Sequence, residues 1–138
     1  MTLKIKGIIA TALSKAETLL EIKPLSCQEI VDIPIKQGVY LIYNKGGKVI
    51  YVGKGENLYR RIKSEHISAE NKITTSTFRE KLLKVHGLKP GADMRRWIIE
   101  NCSFAWVEIN DKDITSVVEN ILITLLRNDN EKAELLNN

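Results

Sequence analysis

The spacing of hydrophobic residues divides the chain into a helical start, a strand-rich centre and a helical second half. Before Pro24 the apolar side chains recur every three or four positions, which predicts an amphipathic helix that ends at that proline. Ser26 followed by Glu29 has the spacing of a capping box, so we expect a second short helix through residue 30 or 31.

The centre, residues 38–53, is predicted to be a β-hairpin. Two short apolar runs are joined by a loop at 44–47 that contains one asparagine and two glycines, a composition typical of hairpin turns. If Tyr43 faces Lys48 across this loop, Tyr40 lies directly opposite Tyr51. Because side chains alternate along a strand, one face of the hairpin should then carry four residues together. These are Tyr40, Ile42, Val49 and Tyr51.

Helical periodicity resumes after the hairpin and is interrupted by one further strand. The pattern predicts helices over 58–66, 76–86, 93–100 and 114–126, and a strand over 102–109. Asn57 is a candidate N-cap for the first of these helices, and Asp111 or Asp113 for the last. The predicted fold class is α+β, with a small three-stranded antiparallel sheet flanked by helices and an extra N-terminal helical leader. We divide the chain into a leader packed on the core (1–36), a main domain (37–130) and a C-terminal tail (131–138).

Composition places the chain among ordinary soluble proteins, with 43% hydrophobic and 28% charged residues. No apolar run approaches the roughly 20 residues that span a bilayer, and charges follow the N-terminal apolar stretch at once. We therefore expect a cytoplasmic protein without membrane involvement. Cys27 and Cys102 are far apart and lack a CxxC partner, which favours buried free thiols and excludes a zinc site.

The net charge of +4 is distributed unevenly along the chain. Thirteen Lys and Arg residues stand against five Asp and Glu residues between positions 45 and 96, whereas the remainder is acidic. A basic centre between acidic ends favours one face that meets a polyanion such as nucleic acid. Lysine-rich helix faces that are merely solvated would give the same count.

Glu119 stands out in the last predicted helix because its neighbours are nearly all apolar. A carboxylate in such surroundings is costly unless it is paired or binds a metal, although a surface glutamate on a single wet stripe fits the pattern too. One carboxylate with water and phosphate oxygens suits Mg²⁺. Together with Tyr40, Tyr51 and Arg61 it would supply the base, cation and metal that phosphodiester hydrolysis needs.

Between residues 38 and 130 the sequence resembles the GIY-YIG endonuclease family. The two halves of the family name read here as GVY at 38–40 and YVG at 51–53. Further matches are Lys54, Arg61 at the family spacing, Glu119 in the late helix, and Asn130, which we interpret as structural. The resemblance implies a three-stranded antiparallel sheet flanked by helices and metal-dependent cleavage of DNA at a single site.

The same resemblance implies a role for each matched side chain. Tyr40 would be the general base, with Lys54 or another neighbouring charge lowering its pKa, since a free phenol near pKa 10 is a poor base at neutral pH. Tyr51 would position water or phosphate, and Arg61 would clamp the scissile phosphate. Glu119 would be the single protein ligand of Mg²⁺ or Mn²⁺.

One position departs from the family pattern. Family members often carry His or Tyr four residues after the arginine, whereas here Glu65 holds that position and His66 follows it. We keep His66 as a catalytic candidate because a residue near a helix end can turn inward. The cations that we expect to contact DNA are Arg60, Lys63, Arg79, Lys81, Lys84, Arg95 and Arg96.

Two hypotheses of different classes follow. The first is a metal-dependent DNA endonuclease in DNA repair, restriction or mobile-element biology, with specificity supplied by residues 67–91, by a homodimer or by a partner protein. The alternative is a catalytically silent nucleic-acid-binding module of the same fold. The intact set of tyrosines, arginine and glutamate argues against the silent module, because lost chemistry would leave these residues free to change.

Overall fold

A computed structural model describes residues 3–67 and 77–137 of the chain. Its centre is an antiparallel sheet in the order β1-β4-β2-β3, and its strands are β1 (Leu25–Ser26), β2 (Gly38–Tyr43), β3 (Val49–Gly55) and β4 (Ser103–Glu108). Helices flank this sheet and the N-terminal helix is present, so the predicted α+β class is confirmed. The two-residue strand β1 is an addition to the three strands that the sequence predicts.

Two groups of helices cover the two faces of the sheet. Their bounds are α1 (Leu3–Glu21), a π-helix (Arg60–Ile67), α2 (Thr77–His86), α3 (Ala92–Asn101) and α4 (Lys112–Arg127). Helices α1 and α4 pack on the face that carries Val39, Leu41 and Val52. The π-helix, α2 and α3 cover the opposite face and bury its tyrosines. Within the described residues, no helix is long and apolar enough to cross a membrane.

The hairpin forms where the sequence predicts it, but its register differs from the prediction. Tyr43 pairs with Val49 rather than with Lys48, and an irregularity between Ile42 and Tyr43 shifts the ladder by one more residue, so that Ile42 pairs with Tyr51 and Tyr40 with Gly53. The expected direct pairing of Tyr40 with Tyr51 is therefore wrong, and the two tyrosines are diagonal neighbours on one face. The same shift moves Val49 to the face that contacts α1 and α4.

The second leader helix does not form, although its capping box does. The Ser26 backbone N–H donates to Glu29 Oε1 (3.0 Å), and the Glu29 N–H donates to Ser26 Oγ (3.3 Å). These bonds close a single turn, because Leu25 and Ser26 are held in an extended conformation by pairing with β4. The capping signal was correct locally, and the prediction of a helix from it was wrong. Cys27 and Cys102 are both free thiols.

The residues after α4 cover the outer edge of β3. The Val49 N–H donates to the carbonyl oxygen of Lys132, and the Glu134 N–H donates to that of Val49, both at 2.9 Å. Farther along, the Asn137 side chain bonds both the N–H and the carbonyl of Val52. The predicted tail therefore saturates a strand edge that would otherwise expose unpaired backbone groups.

Candidate active site

The two glycines of the GVY and YVG motifs are required by close packing in the sheet. A Cβ atom on Gly53 would lie 2.2 Å from the Tyr40 hydroxyl, so only glycine lets the phenol ring lie across β3. A Cβ on Gly38 would lie 2.1 Å from the backbone oxygen of Val107 on β4. Each glycine therefore fixes the position of a neighbouring strand or ring, and Gly53 fixes that of Tyr40.

His66 reaches the site despite its offset in the sequence. Its Nε2 atom lies 2.5 Å from the Tyr40 hydroxyl, and its side chain is fully buried. The segment from Arg60 to Ile67 is wound as a π-helix, in which hydrogen bonds join residues five apart rather than four. This wider winding accommodates the extra residue between Arg61 and His66. Such windings are rare and occur frequently at functional sites.

A cluster of rings surrounds the hydrogen bond between Tyr40 and His66. The ring centroids of Tyr40 and Tyr51 lie 6.4 Å apart, and Phe78 of α2 lies 5.5 Å from both Tyr51 and His66. Burial lowers the pKa of His66 well below its usual value, and the charges of Arg61 and Arg79 add to that effect. The imidazole is therefore neutral at pH 7, which leaves Nε2 able to accept the phenol proton.

Tyr40 does not have the lowered pKa that its expected role as a free phenolate base requires. Burial raises the pKa of the phenol, and neighbouring Tyr51 raises it further. The charge that opposes this rise in pKa comes from Arg61, so of the two alternatives left open by the sequence it is a neighbouring charge other than Lys54. Tyr40 is fully buried and Tyr51 is 6% exposed, so both phenols are neutral and covered in this conformation.

Arg61 lies beside both tyrosines and is held by Glu65. Its Nη1 atom donates to Glu65 Oε2 at 2.7 Å, and Arg60 approaches the other oxygen of the same carboxylate at 3.7 Å. Glu65 thus replaces the expected aromatic residue with a carboxylate that pairs with the arginine. Sequence reasoning did not identify Glu65 as a site residue, although its spacing of four from Arg61 is a known signal for a helical ion pair.

Glu119 and Lys54 form the polar side of the site. Lys54 Nζ donates to Ser116 Oγ at 2.8 Å and lies 3.9 Å from Glu119 Oε1. Burial raises the pKa of Glu119, while Lys54 and Arg61 act against that rise. A partly buried carboxylate whose charge is under-compensated fits a hard divalent cation that retains most of its waters. Among the described residues, no three His, Cys, Asp or Glu side chains cluster as a denser metal site would require.

Six of the seven cations predicted to contact DNA are at least partly accessible, and Arg79 is not. Arg60, Lys63, Lys84 and Arg96 are exposed, and Lys81 and Arg95 are half-buried. Arg79 is fully buried, and its Nη1 donates to the carbonyl oxygens of His66 (2.7 Å) and Ile67 (3.2 Å). The expectation of an exposed DNA contact is wrong for Arg79, because the end of the π-helix needs donors for its last carbonyls.

Comparison with known proteins identifies the family of the chain. The model of the GIY-YIG catalytic domain matches residues 36–132. The chain belongs to the GIY-YIG family. It is accordingly a nuclease, and the resemblance drawn from the motifs is confirmed. The match includes both motif halves as well as the π-helix and α4, which carry the other residues of the site.

Several curated relatives are each described as UvrABC system protein C. The one from Mesoplasma florum is 44% identical over 52 residues, which are 38% of this chain and 9% of that protein. The one from Flavobacterium johnsoniae is 29% identical over 79 residues, 57% of this chain and 13% of that protein. The one from Hydrogenovibrio crunogenus is 33% identical over 66 residues, which are 48% of this chain and 11% of that protein. The chain therefore matches about a tenth of the length of these relatives.

Proposed function

We propose that this GIY-YIG nuclease is a metal-dependent DNA endonuclease of a repair system, cutting one strand at one site. The observation that carries the proposal is the hydrogen bond between Tyr40 and His66 beside Arg61 and Glu119. A proton acceptor, a phosphate-binding cation and a carboxylate for a metal thus lie together. The UvrABC relatives favour repair over restriction or mobile-element biology.

Tyr40 and His66 act as a proton relay in this proposal. The attacking water transfers a proton to the Tyr40 oxygen while the phenol passes its own proton to His66 Nε2. The resulting hydroxide attacks phosphorus, and the bond from phosphorus to the leaving sugar oxygen breaks. A concerted relay suits a phenol whose pKa is raised, because no free phenolate has to accumulate.

Access to the relay depends on Arg61. Its side chain is 32% exposed and its guanidinium is held by Glu65, so an incoming phosphate competes with that carboxylate. Phosphate accepts two parallel bonds from the planar guanidinium, and such charge-assisted pairs are among the strongest hydrogen bonds. We infer that DNA binding draws Arg61 away from Glu65 and opens the covered phenols to water. Tyr51, the more exposed of the two, then positions that water or the phosphate.

Glu119 is the residue that would hold Mg²⁺ or Mn²⁺. A divalent ion there would offset the negative charge on the phosphate and on the leaving oxygen. Lys54 lies near enough to stabilise Glu119 in the ionised form that binds a cation, and its hydrogen bond to Ser116 keeps it in place. Since one site cuts one strand, a double-strand break would need a second copy or a second binding event.

The test is cleavage of plasmid, branched and flapped DNA with Mg²⁺ and with EDTA. We expect nicking in Mg²⁺ only, and loss of nicking in Glu119→Gln with DNA binding retained. Asn120→Ala is the matched control, because Asn120 is the exposed neighbour of Glu119 on α4. Full activity in EDTA, or in Glu119→Gln, would contradict the mechanism. Binding without cleavage under every condition would instead favour the silent module.

A further inference from the structure

A groove beside the active site has features that fit unpaired nucleic acid. It lies between α2, α3 and the residues that follow α4, with a volume of about 1020 Å³. We call it the edge groove, and its defining residues are Lys48, Lys81, His86, Trp97 and Arg127. We propose that the edge groove binds a single-stranded DNA segment next to the scissile phosphate, a proposal that rests on the nuclease function above.

The charge of the edge groove suits a polyanion. Three cationic side chains among the described lining residues, Lys48, Lys81 and Arg127, face one carboxylate, Glu134. Glu134 pairs with Lys48 at 3.2 Å. Within residues 3–67 and 77–137, neither Lys81 nor Arg127 has a carboxylate partner within ion-pair distance. These two cations are therefore available to neutralise phosphates.

Two neighbouring, mutually tilted rings form the aromatic part of the edge groove. The His86 and Trp97 centroids lie 5.3 Å apart and their planes are inclined by 33°. His86 is exposed and Trp97 is half-buried, so ring surface remains accessible beside the cations. A basic groove with aromatic platforms is the combination by which proteins bind single strands, because every base has a face that stacks. A duplex keeps its bases stacked on each other and cannot use such a platform.

The edge groove and the active site share the elements β3 and α2. Ile50, one of its lining residues, directly precedes Tyr51 on β3. Lys81 follows Phe78 by three residues on α2, and the Phe78 ring lies 5.5 Å from that of Tyr51. A strand that passes the catalytic tyrosines can therefore enter the edge groove. This proximity, together with the charge of the groove, favours the nuclease's own substrate over an unrelated protein segment as the occupant.

Tryptophan fluorescence gives a direct test, because the chain has only two tryptophans, Trp97 and Trp106. In a Trp106→Phe variant that is excited at a wavelength absorbed by tryptophan and not by tyrosine, Trp97 is the sole emitter. A short oligothymidylate, added in EDTA so that no cleavage occurs, should quench this emission, and a blunt duplex of the same length should not. The absence of quenching by the single strand would overturn the proposal. A groove that binds a protein segment instead of DNA would give this same negative result.

Substitutions outside the core give a second test that does not depend on Trp97. His86→Ala should weaken binding of the single strand about fivefold or more, since it removes one stacking surface. Lys81→Ala should lower the salt slope of binding by about 0.7. Lys6→Ala is the control, an exposed lysine on α1, which packs on the opposite face of the sheet. Equal effects of Lys81→Ala and Lys6→Ala would overturn the proposal.

Cleavage assays on the same variants separate this proposal from the proposed function. Quenching by the single strand in a protein that cuts no DNA would support the edge groove and refute the nuclease mechanism. DNA cleavage without quenching would leave the mechanism intact and refute the edge groove.

Discussion

Substitution of Gly53 by alanine tests whether the position of the Tyr40 hydroxyl controls catalysis. Gly53 does not have a positive φ, so alanine is acceptable to its backbone and the effect is one of space alone. The new Cβ would lie 2.2 Å from the Tyr40 hydroxyl and 2.3 Å from Cζ. Restoring ordinary contact at 3.4 Å requires a shift of about 1.2 Å between the two groups, in a site where Tyr40 and His66 are both fully buried.

The size of the effect follows from that shift. A misplacement of about 1 Å can cost about 10²-fold in rate, so we expect Gly53→Ala to cleave roughly a hundredfold more slowly. Overpacking a core costs about 1–3 kcal/mol, and replacing a strand glycine returns about 0.5–1 kcal/mol. The net loss of at most about 2.5 kcal/mol should lower Tm by no more than roughly 9 °C, which leaves the protein folded at assay temperature.

The assay is single-turnover nicking of a labelled DNA, with thermal unfolding followed by circular dichroism. Gly46→Ala is the matched control, because its Cβ meets nothing closer than Asn44 Oδ1 at 3.4 Å. The control should keep both the rate and the Tm of the original protein. A folded Gly53→Ala variant with an undiminished cleavage rate would refute the argument that the Tyr40 position matters.

Four further outcomes are expected. Tyr40→Phe should slow cleavage by roughly 10²–10⁴-fold and Tyr51→Phe by less; the reverse order would show that the relay uses the other phenol. Glu119→Gln should unfold at a higher temperature at pH 7, because burial raises the pKa of Glu119 and its ionised form is therefore destabilised by folding. The free energy of unfolding should fall as pH drops below about 6.5, because burial lowers the pKa of His66 and only the unfolded protein then binds a proton there. His66→Gln should flatten this pH dependence in denaturant titrations. Arg79→Ala should lose about 1.5–3 kcal/mol of stability without changing the salt slope of DNA binding, and a changed slope would restore Arg79 as a DNA contact.

Much of the fold was predictable because its signals are local. The helix before Pro24, the hairpin loop with its glycines, and the amphipathic helices of the second half all depend on residues near one another in the chain. The site could be predicted only by combining residues that are far apart in the chain. The GVY and YVG motifs, with Arg61 and Glu119 at family spacing, allowed that step, and the family match agrees with it.

The register of the hairpin was decided only by the tertiary structure. Alternation along a strand is a property of that strand, but pairing depends on the irregularity between Ile42 and Tyr43. Because one step of register reverses the face of a side chain, Val49 joined the opposite core. Arg79 is a similar case, since helical periodicity does not show whether a buried arginine will find carbonyl oxygens to bond.

The sequence by itself determined which residues are available for chemistry: two tyrosines, an arginine, a glutamate and a histidine at an unusual offset. Only the tertiary structure decided how they meet. The π-helix brings His66 within hydrogen-bond distance of Tyr40. In the same π-helix, Glu65 lies four residues after Arg61 and pairs with it. The physical reason is that helix winding is set by the packing around it as well as by local preference. The sequence shows that His66 follows Arg61 by five residues instead of four. The packing around the π-helix determines where the His66 side chain points.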